Sequence, residues 1–188
     1  MIKQIKTSFL IFIVFSIITG LIYPFSITAV AQIAFPYQAN GSFVTINGKI
    51  RGSELIGQNF SKPEYFHGRP SAVNYDGGSS GGSNFGPSNK KLIERVEAGI
   101  KQIEWENKIS SSEKIPADLV LASASGLDPH ISPASAMIQV KRVAEARGLS
   151  EGAVNNLIKK NTENQFLGQQ VVNVLKLNIA LDEISAVK

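Results

Sequence analysis

The chain has no cysteine among its 188 residues. That excludes disulfides, thiolate metal sites and a cysteine nucleophile, and any folded domain must rest on its core alone. Histidine is scarce, with only His67 and His130 present. A zinc centre would have to be a mixed one drawing on Asp76 or Asp128, and no ligand spacing supports it. Charge is missing altogether between Lys6 and Lys49. A soluble domain rarely leaves such a gap, whereas a membrane segment requires one. A basic stripe is missing too. Apart from Lys3 and Lys6 the chain carries 17 basic and 15 acidic residues. The basic residues are scattered or form short pairs such as Lys90-Lys91, Lys141-Arg142 and Lys159-Lys160, which suit solvated helix faces rather than nucleic acid.

The uncharged gap holds "FLIFIVFSIITGLIYPFSITAVAQIAF", Phe9 to Phe35. About 20 helical residues cross a bilayer, so this run suffices. Pro24 lies inside it, and a membrane helix accepts proline as a kink. Two readings compete. Lys3 and Lys6 form a basic n-region, and "AVA" at 29–31 resembles a cleavage site before Gln32, as in a signal peptide. The apolar run continues past that point, which favours a retained anchor over 8–35 behind a cytoplasmic tail, 1–7. In both readings the lysines keep the N-terminus inside, so residues 36–188 are expected outside the cell membrane. Ser16, Thr19, Gly20, Ser26 and Thr28 are small or hydroxylated. Ser16 and Gly20 are four apart and share a face that suits a partner helix.

The remainder reads as a compact mixed domain, α/β or α+β, with no internal repeat. Asn47-Gly48 marks a hairpin in "FVTINGKIRG". "SELIGQNF" suggests a helical turn capped by Ser53, and "KPEYFHGRPSA" an ordered loop. "YDGGSSGGSNFGPSN", 75–89, is a glycine-serine loop that matches neither the Walker pattern nor the dinucleotide fingerprint. A helix is expected from Ser88 or Asn89 to Asn107, burying Leu92, Ile93, Val96, Ile100 and Ile103, with Trp105 in the core. "IPADLVLASAS" reads as a strand or buried turn. A second helix starts at a Ser132 cap with Pro133 in its first turn, ends at Gly148, and turns Met137, Val140, Val143 and Ala144 inward. A third follows a Ser150 cap through Val154, Leu157 and Ile158. The last elements are a strand from Val171 and a short helix over 178–184.

The stretch that most resembles chemistry is "SASGLDPHISPASA", 123–136. Ser125, Asp128 and His130 are too close in sequence for a usual triad, which the fold assembles from distant residues, and there is no Gly-x-Ser-x-Gly elbow. A membrane-anchored hydrolase using these three is the alternative reading. The preferred one makes Asp128 a turn residue before proline and His130 a hydrogen-bonded side chain that fixes the loop ahead of the Ser132 helix.

"GSELIGQNF", "YFHGRPSA", "SGGSNFGPSN", "ASGLDPHISPASA", "VAEARGL" and "VVNVLKLNIAL" follow one another behind a single membrane helix. This series resembles the C-subunit family, KdpC, of the Kdp potassium-transporting P-type ATPase, over nearly the whole chain. Ala124 stands where glycine is expected. The resemblance implies an accessory subunit without catalysis of its own, in a high-affinity potassium-uptake complex. Its partners would be a channel-like potassium-translocating subunit, an ATP-hydrolysing subunit and a small membrane subunit. It further implies a role in assembly and as a catalytic chaperone that raises the pump's affinity for ATP. No tightly bound cofactor is expected, and ATP would act through the complex. If ATP touches this chain, the glycine loop at Ser80, Gly81, Gly82, Ser83 and Asn84 is the expected place, through backbone N–H groups. Asp128 and His130 would then belong to architecture and partner contact.

Overall fold

A computed structural model describes residues 1–164 and 168–186, with only the backbone of Ser185 and Ala186. The domain expected over 36–188 thus includes a few residues outside the described ones. The chain divides into two compact units, Met1–Ile50 and Arg51–Lys188.

The first unit is dominated by one continuous helical run, Ile2–Ala34, long and apolar enough to cross a membrane. It comprises α1 (Ile2–Ile17), a π-helical turn (Ile18–Ile22) and α2 (Tyr23–Ala34). The π turn has a local cause. Proline has no N–H, and its ring presses on the carbonyl four residues back, here that of Gly20. Widening the helix before Pro24 lets the chain continue, with the Tyr23 N–H bonding Ile18 O. Four hydroxyls bond the carbonyl four residues back: Thr7 to Lys3 at 2.9 Å, Thr19 to Phe15 at 2.7 Å, Ser26 to Ile22 at 2.7 Å and Thr28 to Pro24 at 2.8 Å. A short α3 (Pro36–Ala39) follows. The Asn47-Gly48 hairpin forms as expected, joining β1 (Phe43–Ile46) and β2 (Lys49–Ser53), and both turn residues have positive φ.

The second unit is helix-rich around a small antiparallel sheet of order β3-β5-β4. Its elements are α4 (Lys90–Asn107), β3 (His130–Ile131), α5 (Pro133–Ile138), α6 (Val140–Arg147), α7 (Glu151–Lys160), β4 (Thr162–Asn164), β5 (Gln170–Asn173) and α8 (Val174–Ala186). Central β5 pairs with both neighbours, Ile131 opposite Val172 and Thr162 opposite the same Val172. The core gathers Phe66, Ile131, Val143, Val154, Ile158, Val172, Leu177 and Leu181. The architecture is therefore a mixed helix-and-strand domain.

Caps placed by sequence are present. Asn89 accepts from Lys91 N, Ser132 from Ser135 N and Ser150 from Ala153 N, and Gly148 ends α6 in the left-handed region at φ +63°.

Five expectations need correction. Ser53 caps a turn through Leu55 N and ends β2; no helix forms over 53–60, because Gly57 is drawn to the Leu127 carbonyl at 2.7 Å. The second helix is two, α5 and α6, broken at Gln139, whose side chain is committed to the backbone of His67. The final helix starts at Val174 rather than 178, directly after β5. α4 buries only Asn107 fully: Leu92, Val96, Ile100 and Ile103 are half-buried, and Ile93 is exposed. Trp105 and Met137 are also exposed, Trp105 at 81%. Among the described residues α4 packs against α6 along one flank, and its apolar residues are at most half covered, so helical spacing overstated its burial.

Candidate functional site

The loop 123–129 is held by its own main chain. Ser125 O accepts from Gly81 N at 2.8 Å and from Ser80 Oγ at 3.3 Å. Gly126 O accepts from Ser71 Oγ, Leu127 O from Gly57 N, and Pro129 O from Val174 N. Backbones approach so closely that side chains do not fit. A Cβ on Gly126 would meet Gly81 O at 2.8 Å, and its φ is +67°; a Cβ on Gly82 would meet Ala124 O at 3.0 Å. The glycine-serine segment is thus a surface against which loop 123–129 is laid. The Gly81 N–H, one donor of the expected phosphate cradle, is occupied by Ser125.

Ser125, Asp128 and His130 do not assemble as a triad. Ser125 Oγ accepts from Leu127 N at 3.1 Å, and among the described residues no hydrogen bond joins it to His130. Asp128 Oδ1 accepts the His130 backbone N–H at 3.0 Å and lies 3.5 Å from His130 Nδ1. Its Oδ2 accepts from Arg69 Nη1 at 2.9 Å. Partial burial pushes the Asp128 carboxyl up, but the hydrogen bonds from His130 and the charge of Arg69 outweigh it and hold the group below its ordinary value. This is an ionised carboxylate closing a turn. His67 is on another loop and Asp76 is exposed. Among the described residues no group of three or more histidine or acidic side chains is placed to hold a metal.

Two features escaped sequence reading. Asp118 completes the start of α5: it accepts from Ser132 N at 2.6 Å and from Ser135 Oγ at 2.6 Å. The segment "PEYFHG" is clamped by buried polar side chains. Asn178 bonds both backbone groups of Phe66, at 2.8 and 3.0 Å, and Gln139 does the same for His67, at 2.8 and 3.1 Å. Arg142 donates to Asn107 Oδ1, to Gln139 Oε1, and to the carbonyls of Pro63 and Tyr65. Burial lowers the pKa of its guanidinium, while Glu106 opposes that. The only sequence signal was negative: amides and an arginine interrupting apolar helix faces.

Of these clamps, Arg142 lines a cleft of about 780 Å³ between α4, α6 and the 61–67 segment. His67 Nε2 lies 3.1 Å from Lys62 O, which can only accept, so Nε2 carries the proton and Nδ1 faces Glu106 at 3.5 Å. Desolvation first, then Arg142, lowers the pKa of His67 against the pull of Lys62 O and Glu106. Lys108 pairs with Glu145 at 2.6 Å on the rim.

With the geometry in place, comparison with known proteins decides the family. The family model described as "KdpC: K+-transporting ATPase, c chain" matches residues 5–183. The chain belongs to the KdpC family. It is 50% identical over 184 residues to the potassium-transporting ATPase KdpC subunit of Caldanaerobacter subterraneus subsp. tengcongensis, covering 96% of this chain and 95% of that one. The KdpC subunit of Herpetosiphon aurantiacus is 52% identical over 180 residues, 93% of each chain. That of Geobacter sulfurreducens is 50% identical over 189 residues, 97% of this chain and 98% of its own.

Proposed function

We propose that this chain is the accessory, non-catalytic C subunit of an ATP-driven potassium-uptake complex. The family match over nearly the full length carries this reading. The partners are the channel-like, the ATP-hydrolysing and the small membrane subunits of that complex. The helix Ile2–Ala34 anchors the chain in the cell membrane, and Lys3 and Lys6 keep its N-terminus cytoplasmic. The following domain then lies outside, where Asp128 and His130 stiffen a loop for partner contact.

The chain stabilises the assembled pump and raises the affinity of its ATP-hydrolysing subunit for ATP. Because ATP is cytoplasmic and the domain is outside, that effect is a coupling transmitted through the partners. A direct phosphate cradle at Ser80–Asn84 would have to give up the Gly81 bond to Ser125. The test is to produce the pump with and without this chain. Without it, complex yield should fall and the ATP concentration for half-maximal hydrolysis should rise; in cells with it, protease added to spheroplasts should digest the domain. Equal yield and equal ATP dependence would remove the accessory role.

A further inference from the structure

Trp105 is the chain's one tryptophan and, of the large apolar residues described in Arg51–Lys188, the most exposed. It stands on the last turns of α4 at the mouth of the cleft floored by Arg142. Pro63 and Ala146 add apolar wall. The charges there are already matched. Lys108 is paired with Glu145, the carboxylate of Glu106 lies in the field of the Arg142 guanidinium, and each guanidinium nitrogen of Arg142 has a protein acceptor. A charged occupant would have to break one of these pairs, whereas an uncharged one would not. The floor is also fixed in advance: Gln139 and Arg142 hold the 63–67 backbone, so little order remains to be lost on docking. An exposed tryptophan beside a preformed, internally neutral cleft has the anatomy of a protein-interface anchor.

We infer that the Trp105 cleft receives an uncharged, apolar segment of another subunit of the potassium-transporting ATPase. This rests on the proposed function, since that reading supplies the partner. The absence of cysteine makes the test direct, because Ala146→Cys introduces the chain's only thiol. In the full chain purified alone, in detergent or in lipid nanodiscs, a maleimide should label that thiol fully. In the assembled complex it should be protected at least roughly tenfold, while Ile93→Cys, exposed at the far end of α4, should stay reactive. Trp105→Ala should reduce partner recovery by roughly tenfold or more without shifting the chain's own unfolding midpoint, as its side chain is exposed. Full labelling of Ala146→Cys in the complex overturns the inference, and so does normal recovery with Trp105→Ala. Protection in the chain alone overturns it as well, assigning the cleft to a second copy or to lipid. If the parent chain recovers no partner at all, the proposed function fails rather than the cleft.

Discussion

At the scale of single residues, the fold depends on polar side chains that stand in for missing secondary structure. Phe66 and His67 have no strand beside them, yet both have paired backbone groups, because Asn178 and Gln139 each present a donor and an acceptor. Phe66 can then enter the core with its main chain satisfied. His67 is half-buried, and desolvation first, then the nearby charge of Arg142, lowers its pKa. The sign follows from its lowered pKa. Folding favours the neutral ring, so this contribution is fully present above the ordinary value of 6.5 and is lost as pH falls through the lower folded pKa. Thermal unfolding of the full chain between about pH 7.5 and pH 5 should therefore show a drop in midpoint that is shallower in His67→Gln. Parallel pH profiles for the two chains would contradict a lowered pKa at the half-buried His67.

At the scale of elements, the long apolar helix Ile2–Ala34 carries the clearest consequence. Thr19, Ser26 and Thr28 donate to their own helix, so they need no partner. Gly20 differs: a Cβ there meets nothing within 4 Å, and the π turn surrounds it. Its face, shared with Ser16, is open to close approach by a neighbouring helix. Gly20→Leu should lower recovery of the assembled complex by an amount worth about 1 kcal/mol, with the domain that follows the helix still folded, and Leu at Ile18 should do little. Co-purification of Gly20→Leu at parental level through a detergent titration would make the helix a plain anchor. Elements with local signals were legible in the sequence: the Asn47-Gly48 turn, the caps at Asn89, Ser132 and Ser150, the stop at Gly148. What was not legible depended on distant partners. Trp105 looked like core because α4 has apolar residues at helical spacing, but spacing alone does not say whether a layer lies beyond the helix. Gln139, where the helical pattern breaks, has its side chain bonded to His67, 72 residues away. The glycines of 75–89 suggested a ligand loop, and one of them, Gly82, instead admits the backbone of Ala124.

At the scale of the whole molecule, one long apolar helix and one mixed domain belong to a family named for a potassium-transporting ATPase. Nothing in the loop 123–136 converges as a nucleophile and base must, and its carbonyls are spent on holding neighbouring backbone. These contacts support the proposed role in assembly. The measurement closest to that claim is purification of this chain, tagged at its C-terminus, from detergent-solubilised membranes of cells grown at limiting potassium. The account predicts that a P-type ATP-hydrolysing subunit and a channel-like subunit elute with it in fixed proportion, and that ATP hydrolysis resides in that complex and not in the isolated chain. Elution of the chain alone, with hydrolytic activity of its own that Ser125→Ala abolishes, would contradict it.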